Sequence, residues 1–91
     1  MLIDVTTKSG FNCKVDDDLF NDFEMLELIQ QTMSDDAMEK LNATIEIVKL
    51  MFGEYKKPLY EHIKKEHGKV LPEVLEGDIV SVMNSIGKAK N

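Results

Sequence analysis

Two histidines, His62 and His67, a single cysteine, Cys13, and the acidic run Asp16-Asp17-Asp18 are the side chains that invite a chemical reading. A helix aligns residues four apart, whereas the two histidines are five apart, so they diverge around the axis and make a poor metal pair even with Glu61 and Glu66 beside them. Both are expected to face solvent near a helix C-terminus, where a partial positive charge is favourable. With no second cysteine, Cys13 forms neither an internal disulfide nor a thiolate zinc site. Alternation places it on an apolar strand face, away in sequence from either histidine, so packing rather than nucleophilic attack is its expected role. The acidic run lacks the D-x-D-x-D-G spacing and distal glutamate of a calcium loop, and is expected to cap a helix. No Gly-rich phosphate loop, nucleophile elbow or metal-binding helix motif is present. The expectation is a protein with no catalytic residues, no cofactor and no metal.

Composition narrows the classes further. Ninety-one residues suffice for one domain, and 43% hydrophobic with 31% charged residues describe a chain that folds. Residues 1–46 carry 11 acids against 3 lysines, and residues 47–91 carry 8 lysines against 6 acids. The total is −6 and there is no arginine, so the phosphate backbone is repelled and the bidentate reading of guanine is missing; no nucleic-acid partner is expected. The longest apolar stretch, Ile47 to Phe52, is interrupted by Lys49, and no signal peptide is visible, so no membrane association and a cytoplasmic location are expected. Lys56, Lys57, Lys64, Lys65 and Lys69 read as a solvated helix face, with a basic patch for an acidic partner as the alternative.

The elements follow from periodicity. Residues 2–16 read as a β-hairpin around the loop Lys8-Ser9-Gly10, with Gly10 in the left-handed region. That loop pairs Ile3 with Val15, Val5 with Cys13 and Thr7 with Phe11 on an apolar face, and Asp4 with Lys14 and Thr6 with Asn12 on a polar one. A first helix over about 18–33 is expected to bury Leu19, Phe23, Leu26, Ile29 and Met33. A second over 37–52, capped by Ser34-Asp35-Asp36 and closed by Gly53, is expected to bury Met38, Leu41, Ile45, Val48 and Phe52. A third over 57–67 begins with Pro58 in its first turn, and a fourth over 72–86 buries Leu75, Ile79, Val82, Met83 and Ile86. Gly77 is a point of irregularity in that last helix, Gly87 is expected to stop it, and residues 88–91 to fray. The fold class is α+β, an N-terminal hairpin packed on a bundle of three to four helices.

These helices carry more apolar positions than one buried stripe needs. Met25 and Leu28 on the first, and Ile47, Leu50 and Met51 on the second, lie outside the expected core stripes, and the six methionines suit an adaptable surface. Met25, Leu28, Ile47 and Met51 are therefore the expected partner-binding positions.

T-K-S-G-F from Thr7 and the alternation to Asp16, N-D-F-E-M-L-E from Asn21, I-V-K-L-M-F-G from Ile47 and H-G-K-V-L-P from His67 together resemble the tail assembly chaperones of long-tailed bacteriophages and prophages of Gram-positive bacteria. The resemblance covers nearly the whole chain, in spacing and residue type, with Leu71 lengthening the usual link before Pro72. It implies a non-enzymatic protein that coats the helical tape measure protein until the tail tube forms. It also implies self-association and a longer frameshifted product. Two other classes stay open: a virion structural or head-tail joining part, which would be found in purified particles, and an acidic DNA mimic, whose inhibition salt would relieve.

Overall fold

The computed structural model describes residues 1–89. Two antiparallel strands, β1 (Leu2–Thr6) and β2 (Asn12–Asp16), are followed by four helices: α1 (Phe23–Gln31), α2 (Ala37–Phe52), α3 (Lys56–His67) and α4 (Pro72–Ala89). One-turn 3₁₀ segments precede α1 and link α2 to α3. The body measures 34 × 33 × 20 Å, a thickness that suits two packed layers.

The hairpin forms in the expected register, with Ile3 opposite Val15, Asp4 opposite Lys14, Val5 opposite Cys13 and Thr6 opposite Asn12. The amide of Thr7 donates to Phe11 O at 2.8 Å, that of Gly10 donates to Thr7 O at 2.9 Å, and Gly10 sits at φ +91°. Val5, Thr7, Cys13 and Val15 are buried, while Lys14 Nζ reaches Asp4 Oδ1 at 2.7 Å on the open face. A two-stranded ribbon needs such cover to persist. Helices supply it, and the core joins Val5, Cys13 and Val15 to Met25, Val48, Phe52, Leu59, Ile63 and Val82.

The helix bounds follow their caps. Asp22, not the Asp16–18 run, caps α1, its carboxylate accepting from Glu24 N at 2.9 Å, so the helix starts at Phe23 and ends at Gln31 rather than spanning 18–33. A carboxylate two residues before the free amide satisfies it, and the more distant aspartates are spent on the preceding turn. Asp36 caps α2 in the same way through Met38 N. Gly53 at φ +52° and Gly68 at φ +80° close α2 and α3. By contrast Gly87 does not stop α4, which continues to Ala89: Gly87 is not among the glycines with positive φ, and without that turn the ladder runs on. Lys88 and Ala89 are thus helical, and the rest of the expected frayed tail lies outside the described residues. Gly77 produces no break. A Cβ there would meet only the side chain of Lys8, in the hairpin turn, with Cδ at 3.3 Å.

Helix phase is where expectation and structure part. The face of α1 that enters the core carries Met25, with Leu28 and Ile29 partly buried, and Phe23, Leu26 and Met33 point outward. On α2 the buried residues are Ala43, Ile47, Val48, Met51 and Phe52, whereas Met38, Leu41 and Ile45 are exposed. An apolar arc this wide admits two phases, and the small side chain of Ala43 marks the face that neighbours can approach closely.

Candidate functional site

The polar side chains converge on the hairpin turn. Asp78, on the buried stripe of α4, is fully buried; its Oδ1 accepts from Ser9 N at 2.8 Å and its Oδ2 from Ser9 Oγ at 2.6 Å. One turn along the same helix, Ser81 Oγ accepts from Lys8 N at 3.0 Å and itself donates to Asp78 O. From α3, His62 Nε2 donates to Ser9 O at 2.8 Å; a carbonyl only accepts, so the proton sits on Nε2. Phe11 packs against His62 and edge-on to Tyr55, with ring centroids 5.7 and 6.3 Å apart. The turn is thereby held by α3 and α4 together.

Serine, histidine and aspartate meet here, yet their order is wrong for nucleophilic catalysis. The histidine faces the Ser9 carbonyl rather than its hydroxyl, and that hydroxyl gives its proton to a carboxylate already engaged by an amide. What the arrangement does is tie the turn down. His62 is therefore a docking residue, which corrects its expected solvent-facing role, whereas His67 stays exposed at the end of α3. Both lie near Glu66, at 3.5 and 4.0 Å, but the Nε2 of His62 is committed to Ser9.

Cys13 is buried in the core. Burial raises its thiol pKa, and the nearby Asp78 carboxylate raises it further, the reverse of what an activated nucleophile requires. Asp16, Asp17 and Asp18 form the one acidic cluster with metal-like spacing among the described residues. Its carboxylates serve the chain: Asp16 Oδ1 accepts from Asp18 N at 2.9 Å, Asp18 Oδ1 accepts from Asn21 Nδ2 at 3.0 Å, and Asp16 and Asp17 hold the Met1 amine at 3.3 and 3.2 Å. Those carboxylates, Asp17 first, keep the amine protonated to higher pH than usual.

The expected partner-binding positions lie mostly inside the protein, although Ile47 and Met51 form part of the floor of a groove between α2 and α4. Met25, Ile47 and Met51 are 0%, 3% and 5% exposed and belong to the core, and Leu28 packs against it, partly buried. The buried arc of α2 keeps Val48 and Phe52 but is rotated toward Ala43, Ile47 and Met51, which leaves Met38, Leu41 and Ile45 exposed. Leu41, Ile45, Met33 and Val80 line two adjoining grooves between α2 and α4. The first, about 410 Å³, is walled by Leu41, Ile45, Val48, Tyr60, Val70 and Leu75. The second, about 300 Å³, is walled by Ile29, Met33, Ile47, Met51, Ile79 and Met83. Lys40, Thr44 and Glu76 border both and form a polar waist between them. These residues escaped the sequence because each sits on a regular three-four spacing that is equally good as a buried stripe.

No protein-family model, curated protein or solved structure matches the chain. No helix among the described residues is long and apolar enough to cross a membrane.

Proposed function

We propose that this chain is a tail assembly chaperone of a long-tailed bacteriophage or prophage, a non-enzymatic protein that works in the host cytoplasm by covering helical segments of the tape measure protein. The observation that carries this reading is the pair of apolar grooves between α2 and α4. Side chains such as Met33 at 79% exposure and Leu41 at 51% keep greasy surface in water along a concave seam. A groove flanked by helices suits the apolar face of an amphipathic helix, with anchors one or two turns apart entering the two depressions.

Co-expression with a fragment of the tape measure protein tests the proposal. Wild type is expected to keep the fragment soluble and to co-purify with it. A variant carrying Met33→Ser, Leu41→Ser, Ile45→Ser and Val80→Ser is expected to fold and to leave the fragment insoluble. Unchanged capture by that variant rejects the seam, and failure of the wild type to capture the fragment rejects the chaperone reading.

A further inference from the structure

The charge around the seam specifies what it takes. Of the exposed acids on α1 and α2, Glu27 and Glu39 are the ones that adjoin it, whereas Asp22, Glu24 and Glu46 line a separate depression with Leu28 and Leu50; the lysines of these two helices are Lys40 and Lys49. Lys49 is already paired with Glu46 at 3.3 Å, and Lys40 lies in the waist. Glu27 and Glu39 share a shallow surface depression with Met33, which also walls the second groove, so negative charge borders the apolar seam directly. The far wall differs: Lys56 Nζ lies 5.6 Å from the ring of Tyr60, which lines the first groove.

We infer that the seam takes an amphipathic helix that is basic along one flank, with large apolar residues on the buried face and lysine or arginine on the side turned to α1 and the start of α2. This rests on the helix-binding reading above and adds the partner's chemistry to it. Apolar anchors supply contact, while complementary charge selects the helix and sets which way round it lies. An acidic helix with the same apolar face would meet the like charges of Glu27 and Glu39 at the rim. The waist residues Lys40 and Glu76, one of each sign, accommodate a polar residue of either kind between the anchors.

Three synthetic 18-residue helices test the inference on the full-length protein by fluorescence anisotropy: one with a leucine face and lysine flank, one with the same face and a glutamate flank, and one of the lysine composition with its face scrambled. The lysine-flanked helix is expected to bind about tenfold or more tightly than either other at low salt. That preference is expected to shrink to about twofold at 0.5 M salt, where the Debye length falls to a few ångströms. Glu27→Gln with Glu39→Gln should reduce the preference, and Leu41→Ser with Ile45→Ser should abolish binding while the far-ultraviolet circular dichroism is unchanged. Equal binding of the lysine- and glutamate-flanked helices overturns the inference, as does equal binding of the scrambled one. No binding, or a concentration-dependent dimer that Leu41→Ser and Ile45→Ser dissolve, overturns it too. If the peptides are discriminated but the tape measure fragment is not captured, the chaperone reading fails alone; capture without discrimination sinks the charge rule alone.

Discussion

At the scale of single residues, Asp78 is the side chain on which most depends. A buried carboxylate is stable only with partners, and it has both the amide and the hydroxyl of Ser9. Its position was readable: helical spacing from Leu75 and to Val82 puts residue 78 on the core face, where an aspartate in an apolar stripe signals a specific hydrogen-bonding task. What the sequence did not reveal is the partner, 69 residues away in the hairpin turn. Asp78→Ala should cost about 3 kcal/mol, because it removes two hydrogen bonds to a charged group and strands the Ser9 donors. In a domain of this size that is a melting-point drop of roughly 15 °C, with faster hydrogen exchange at the Ser9 amide. Ser9→Ala, which keeps the amide bond, should lose about a third as much.

Cys13 carries a pH signature. Its pKa is raised in the folded state, by burial first and by Asp78 second, so the stability it contributes as a neutral thiol is complete below the unfolded pKa and is lost as pH rises through the folded one. Wild type should be more stable than Cys13→Ala at neutral pH, and the gap in urea midpoint should narrow as the pH climbs past the ordinary thiol pKa of about 8.5. A gap independent of pH would show that burial does not hold the thiol neutral. Iodoacetamide at about pH 8 should label the native thiol far more slowly than the urea-unfolded one.

At the scale of elements, those with local punctuation were legible and those fixed by neighbours were not. The hairpin came out in register because Gly10 sets the loop and a one-residue slip would turn Val5 and Val15 outward. Asp36 and Gly53 likewise bound α2 to the residue. The phase of α2 was legible in its C-terminal half, where Val48 and Phe52 are buried as expected, but not before it, where Met38, Leu41 and Ile45 are exposed and Ala43, Ile47 and Met51 take the core. Gly77 belongs to the same class. It costs α4 helix propensity, yet its neighbour is only the side chain of exposed Lys8, which can swing aside by the few tenths of an ångström that a methyl demands. Gly77→Ala should therefore stabilise the domain by about 0.5–1 kcal/mol, read as a rise in urea midpoint at constant slope. A fall would mean that the turn's fit on α4, held by Asp78 and Ser81, outweighs helix propensity.

At the scale of the whole molecule, the apolar surplus inferred from the sequence exists and includes Leu50 as expected, but most of it sits on side chains expected in the core. Met25, Ile47 and Met51 close the core, while Phe23, Leu26, Met33, Met38, Leu41, Ile45, Leu50 and Val80 stay at the surface. A small domain has only about 5–10 kcal/mol of stability, and truncating one fully buried methionine or isoleucine removes about 2–5 kcal/mol. The two sets of side chains should thus separate cleanly in one experiment. Met25→Ser with Ile47→Ser should unfold the chain, lost helical signal and protease sensitivity being the readout. Leu41→Ser with Ile45→Ser, at the same number of sites and with the same replacement, should leave the chain folded at a cost of about 1–2 kcal/mol, because these side chains are 51% and 39% exposed and lose only part of their burial. The second variant should also be more soluble at high concentration, since it removes exposed apolar area without disturbing the core. A large loss of stability from the surface pair would mean that α2 and α4 need those side chains to hold the seam open, and the groove would then be part of the fold rather than a place for another helix.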